Sequence, residues 1–172
     1  TGANSVGVTV DDGTQVNFSG LTILNLNGNA GDDVISVTPN AVAIAVINVT
    51  GGDPTASDTV VINGTPGADT IVFTPTGADS GTVQVNASPS ITLQTVEHLT
   101  INGLGGDDTL TLNTPAGDTD ITVTPGATGD SGTVQVDSLV PLSFTNIGLG
   151  GTLEISDAGG NDQLDYLGTA VG

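Results

Sequence analysis

The side chains that could do chemistry in this 172-residue chain are acids. Asp and Glu number 19, against no Lys or Arg, one His and no Cys. Many of the acids follow glycines in a spaced signature, Gly-x-x-Gly-x-Asp-x-apolar. It reads Gly28-Asn-Ala-Gly31-Asp32-Asp33-Val-Ile35, Gly64-Thr-Pro-Gly67-Ala-Asp69-Thr-Ile71 and Gly103-Leu-Gly-Gly106-Asp107-Asp108-Thr-Leu110. A looser form is Asp157-Ala-Gly-Gly160-Asn-Asp162-Gln-Leu164, and Ser57-Asp58-Thr59-Val60 keeps only the end. The glycines permit left-handed backbone at a sharp corner. An Asp placed there has two uses: it can accept backbone N–H groups before the chain enters a strand, or offer hard oxygen to a cation. The neighbours Asp32/Asp33, Asp107/Asp108 and Asp118/Asp120 repel one another with no basic residue to relieve them, and a divalent ion would do so. Calcium is therefore expected to raise the unfolding temperature.

Other chemistry is sparse. Without Lys or Arg nothing neutralises phosphate, so nucleic acid is excluded as a partner, and attraction to an anionic membrane surface fails for the same reason. No disulfide or thiolate metal site can form. His98 falls on the polar phase of a strand entry and reads as solvated. Nothing in the spacing brings Glu97 or Glu154 to another acid. A glycoside hydrolase would need only two positioned carboxylates, so a polysaccharide-degrading hydrolase stays as an alternative, with a carbohydrate-binding module beside it. That module is disfavoured because Phe18, Phe73, Phe144 and Tyr166 are the only aromatic residues. Asn17, Asn48, Asn63 and Asn86 open Asn-x-Ser/Thr triplets, which a Thr-rich chain supplies by chance. The longest apolar run, residues 41–47, is far shorter than the roughly 20 residues of a membrane span and reads as a buried strand.

The elements that must hold these corners are strands. Thr (27), Val (20) and Ile (11) dominate the chain while Glu occurs twice and Met never, a balance that suits pleated surfaces and starves helices. Length and composition predict a single all-β domain over 1–172. Short alternating stubs follow the corners: Ile71–Phe73, Leu110–Leu112, Ile121–Val123, Val134–Val136, Leu142–Phe144 and Leu164–Tyr166, each with two inward positions flanking one outward. Pro39, Pro75 and Pro125 are expected to close strands. Thr1-Gly-Ala-Asn-Ser-Val-Gly-Val-Thr-Val10 recurs as Thr76-Gly-Ala-Asp-Ser-Gly-Thr-Val-Gln-Val85 and as Thr128-Gly-Asp-Ser-Gly-Thr-Val-Gln-Val136. These starts divide the chain into copies 1–75, 76–127 and 128–172, the first longer than the second by 23 residues around 41–58. An insertion of one coil is easy where each coil touches only its neighbours. A parallel β-helix, or β-solenoid, is the expected architecture. An antiparallel β-sandwich is the alternative, because Val83–Val85 and Ile91–Leu93 could close a hairpin.

The glycine corner resembles the Gly/Asp nonapeptide of the RTX family of secreted calcium-binding β-roll proteins. The resemblance implies calcium held between stacked turns, with Asp33, Asp69, Asp108 and Asp162 as ligands and Asp32 and Asp107 beside them. In that family the nonapeptides run in tandem, whereas here the motif starts lie at 28, 64, 103 and 157. The stretch Val96-Glu-His-Leu-Thr-Ile-Asn-Gly-Leu-Gly-Gly-Asp-Asp-Thr-Leu110 is similar to modules of giant repetitive bacterial surface and exported proteins. That similarity implies a secreted, non-catalytic structural part such as an adhesin stalk, matrix component or fibre subunit. Its expected partners are copies of itself stacked head to tail, or neighbouring repeats, since uncapped strand edges pair with another chain.

Overall fold

The computed structural model describes residues 6–10, 13–39, 44–53, 55 and 57–168. The start of the first decapeptide copy, Thr1–Ser5, and the Ala41–Ala43 part of the apolar run lie outside them. The described residues form strands and connecting turns with no helix, so no helix is long and apolar enough to cross a membrane. In chain order the strands are β1 Val6–Val10, β2 Val16–Phe18, β3 Ile23–Asn29, β4 Val34–Thr38, β5 Val46–Gly52, β6 Thr59–Asn63, β7 Thr70–Gly77 and β8 Ser80–Val85. There follow β9 Ile91–Gln94, β10 His98–Asn102, β11 Thr109–Asn113, β12 Asp120–Pro125, β13 Gly132–Val136, β14 Leu142–Thr145, β15 Thr152–Ser156 and β16 Gln163–Tyr166. Every stub expected between 71 and 166 is a strand, and the hairpin expected at 83–93 is formed by β8 and β9, with Val83 opposite Ile91.

The strands make two mixed sheets. One has nine strands in the order β16-β12-β13-β14-β10-β6-β4-β1-β2, the other seven in the order β15-β11-β7-β8-β9-β5-β3. From β3 to β6 the chain alternates sheets strand by strand, and β5 and β6 pair in parallel with β3 and β4, one pass earlier. Ile23 stands opposite Val46 and Val34 opposite Thr59. The 23-residue insertion thus supplies β5 to one sheet and β6 to the other. Farther on, each pass also carries an antiparallel meander, β7-β8-β9 in the seven-stranded sheet and β12-β13-β14 in the nine-stranded one. The parallel partners then lie farther apart in sequence: Leu99 faces Val60 and Leu142, and Leu110 faces Ile71 and Leu153.

Alternation along the strands sends one face of each sheet into a single aliphatic core. Ile35, Ile47, Ile62, Ile71, Phe73 and Ile101 lie in it, each at most 1% exposed. Two expectations need correction. Pro75 does not end its strand: β7 runs on to Gly77 across a register shift between Pro75 and Gly77, where the missing N–H does no harm. The inward positions of β16 are not buried either. Leu164 and Tyr166 are 59% and 67% exposed, because β16 is the outermost strand and nothing among the described residues packs beyond it.

Candidate functional site

The acid-bearing corners lie where the chain crosses from one sheet to the other, and successive corners are stacked. One column precedes β4, β6 and β10, with Asp33, Asp58 and Glu97 as the last residue before each strand. Another precedes β7 and β11, with Asp69 and Asp108. Within a column each carboxylate after the first accepts the backbone N–H of the acid one pass earlier. Asp33 N–H donates to Asp58 Oδ1 at 2.9 Å, Asp58 N–H to Glu97 Oε2 at 2.9 Å, and Asp69 N–H to Asp108 Oδ1 at 2.9 Å. At the last corner Thr119 donates both its N–H and its hydroxyl to Asp162 Oδ1.

The preceding acid of each doublet reaches the other way. Asp32 Oδ1 accepts the N–H of Ser57, and Asp107 Oδ1 that of Gly150, both from the following pass. Asp118 does the same for Asn161. The Asp107–Asp108 doublet therefore ties its corner to the pass before and the pass after. Charge-assisted bonds of this kind are short and contribute about 1.5–3 kcal/mol each when desolvated. They also account for how so many carboxylates sit together without a basic residue, since Asp32, Asp58, Asp69, Asp107 and Asp108 each accept a backbone N–H. Sequence reasoning found the acceptor role; it did not find that the donors belong to neighbouring passes, because those lie 25–43 residues away.

The first glycine of the signature does something other than turn the chain. A Cβ on Gly28, Gly64 or Gly103 would come within 2.5, 2.6 or 2.0 Å of the Oδ2 of Asp33, Asp69 or Asp108. The glycine Cα–H bond points at the carboxylate, and side-chain space is what this position must lack. The same missing Cβ lets the next pass approach: Gly51 O lies over Gly28, and Asn146 O over Gly103. Left-handed backbone falls instead on the second glycine in two of the three copies, at φ +109° in Gly31 and +96° in Gly106, and not on Gly67.

Surroundings differ from corner to corner. Asp69 Oδ2 also accepts Thr65 N–H at 2.6 Å, and its Oδ1 accepts the side-chain amide of Asn86. Asp108 is 1% exposed and its Oδ2 has no hydrogen-bond partner. Burial pushes the Asp108 carboxyl above the ordinary carboxylate range, against the pull of the Asp69 N–H and with Asp69 and Asp107 adding to the rise. Asp162 is exposed, and the hydroxyl and N–H of Thr119 hold it below that range. Among the described residues no three His, Asp or Glu side chains gather where one metal ion could be held. The six acids expected as calcium ligands are thus placed as follows: Asp33, Asp69 and Asp108 buried at stacked corners, Asp32, Asp107 and Asp162 exposed beside them. They are not brought together into a cage of carboxylates.

The remaining candidates are separate. His98 is exposed, with Nε2 3.1 Å from Ser57 Oγ. Glu97 serves the Asp58 N–H, and Glu154 Oε2 accepts the Thr111 hydroxyl on the outer face of β15. A shallow groove of about 360 Å³ crosses the outer face of the seven-stranded sheet, lined by Asn25, Asn27, Asn48, Thr50, Thr92 and Gln94 without an aromatic ring. The molecule is therefore an all-β protein of two mixed sheets with acid-tied corners. Neither protein-family models, nor curated proteins, nor solved structures provide a match to the chain.

Proposed function

We propose that this chain is a non-catalytic extracellular structural module, a β-solenoid whose stack of strands is itself the working part of a stalk, matrix or filament. The corner pairing carries the reading. The acids that would serve a hydrolase or a cation site are occupied with backbone N–H groups of adjacent passes, so their chemistry goes into joining one pass to the next. Parallel partners recur at like offsets along both sheets, which supports coils piled along an axis. The absence of Lys and Arg leaves trypsin-like proteases no cleavage site, which suits life outside a cell.

Incubation with neutral and acidic polysaccharides tests this reading. No release of reducing ends is expected; steady release would make the chain an enzyme and end the proposal. The same preparation, melted with calcium and with a chelator, separates the two uses of the corner acids. Coincident melts are expected where the carboxylates serve backbone donors alone, and a rise of several degrees in calcium would assign the corners to the ion as well.

A further inference from the structure

One structural unit occurs three times, and two of the three are seated. In β9–β10 and β14–β15 a strand of one sheet is followed, through a left-handed residue, by a strand of the other. Thr95 has φ +48° and Asn146 φ +54° at that point. The pair β2–β3 has the same layout. Val16 follows Val10 by six residues, as Ile91 follows Val85 and Leu142 follows Val136, and Gly20 takes φ +73° two residues after Phe18. The unit β9–β10 lies in parallel on β5–β6, with Ile91 opposite Ile47 and Leu99 opposite Val60. The unit β14–β15 lies likewise on β10–β11, with Leu142 opposite Leu99 and Leu153 opposite Leu110. Among the described residues β2 and β3 lie on nothing; they are the outer strands of the two sheets at one end. At the other end the outer strands are β15 and β16, the equivalents of β10–β11.

Some inward positions at each end remain exposed, whereas Leu24 is already buried and Phe18, Leu26, Leu153 and Ile155 are half-buried against the core. Val16 is 52% exposed and Tyr166 67%, while their seated equivalents Ile91 and Leu112 are at most 1% exposed. Exposed apolar strand edges are templates for another chain. The geometry points to a second copy of this chain as the occupant: β2–β3 of one copy seats in parallel on β15–β16 of the next, continuing an interface the chain already makes twice within itself. The register follows from equivalence. Val16 meets Leu153, Phe18 meets Ile155, Leu24 meets Leu164 and Leu26 meets Tyr166. The meanders already alternate between sheets, so the nine-stranded sheet of one copy runs on into the seven-stranded sheet of its neighbour. Such a contact uses different surfaces on its two sides and does not close, so it propagates as a filament. The strands β2 and β3 carry no charge, and the repulsion between chains of formal charge −19 weakens as salt shortens its range.

This inference rests on the structural reading above and names its partner. The crosslinking arm of the test uses outward residues, which leave the core alone. Asn17 and Glu154 are exposed and stand opposite each other in the inferred register, and the chain has no cysteine of its own. Mild oxidation of the Asn17→Cys/Glu154→Cys variant is expected to give a ladder of covalent multimers. The pair Asn17→Cys/Asp165→Cys, whose members the inferred contact places in different sheets because β2 continues the neighbour's seven-stranded sheet and β16 belongs to its nine-stranded one, is expected to give none. Light scattering of the unaltered chain should show mass rising with concentration and salt, and Val16→Glu should abolish that rise with an unchanged melting temperature. A strictly monomeric chain at high concentration and high salt, or equal ladders from both cysteine pairs, overturns the inference. A monomer that releases no sugar leaves the structural reading standing, whereas polysaccharide hydrolysis removes that reading itself.

Discussion

The corners at Asp69 and Asp108 share one signature and one column, yet they are furnished differently. Asp69 has Thr65 and Asn86 as added donors, so both its oxygens are bonded. Asp108 has Leu104 where Asp69 has Thr65, and its Oδ2 faces the Gly103 Cα–H without a hydrogen-bond donor. The first corner is balanced for a charge. The second holds the same charge at a desolvation cost, visible in the raised Asp108 carboxyl. A motif read from spacing alone therefore hides two electrostatic environments.

Gly→Ala exchange should part the two corners most widely. At Gly103 the new methyl meets Asp108 Oδ2 at 2.0 Å and the backbone oxygen of Asn146 at 2.4 Å, so the next pass must move. At Gly64 it meets Asp69 Oδ2 at 2.6 Å and Gly103 O at 3.0 Å, a milder intrusion. Chemical denaturation is expected to show a loss of about 3 kcal/mol for Gly103→Ala and about 1 for Gly64→Ala. Equal losses would erase the distinction.

Amide exchange probes the charge itself. Asp69→Asn turns an NH₂ toward donors and should cost about 1–2 kcal/mol, while Asp108→Asn keeps an acceptor for Asp69 N–H, sheds a buried charge and should be near neutral. The pH dependence carries a sign. The folded value of Asp108 stands above its unfolded one, so the folded chain takes up the proton first, and the native state gains as pH falls toward the ordinary carboxylate range. The standing of Asp108→Asn relative to the unaltered chain should therefore be best at neutral pH and worsen in acid. For Asp162, whose folded value is lowered, the contribution is present at neutral pH and lost as pH falls through that value. Asp162→Asn should accordingly be weakest at neutral pH. Parallel pH profiles for the two variants would contradict this account.

A small gain belongs to Leu104, which holds φ +65° at 45% exposure. A branched-chain residue is strained there and Asn is tolerated. Leu104→Asn should add about 0.5 kcal/mol, a rise of about 1–2 °C in thermal unfolding.

Much of the fold was legible because its signals are local. Period-two alternation marked Ile71–Phe73, Leu110–Leu112 and Val134–Val136 as strands, and the extra length around 41–58 marked a unit that adds β5 and β6 together. Less was legible where the partner is distant. Nothing near Asp108 in the chain says that its oxygen will meet the Asp69 N–H, 39 residues before it. Nor does local pattern distinguish Gly103, needed for space, from Gly106, needed for a positive φ. The meander strands β8 and β13 share the alternation of their parallel neighbours, so their direction could not be read from it. Leu164 and Tyr166 carry a perfectly ordinary inward pattern; their exposure depends on what lies beyond β16, which no side-chain rhythm encodes.

The β5–β6 insertion has a consequence for how such a molecule changes size. It lengthens each sheet by one strand while β9 and β10 keep the same kind of seat they would have found on β3 and β4. Thickness in this architecture is quantised. It grows or shrinks in increments of one interstrand spacing, about 4.8 Å, and duplication or excision of a short in-frame segment is enough to take one increment without disturbing the rest.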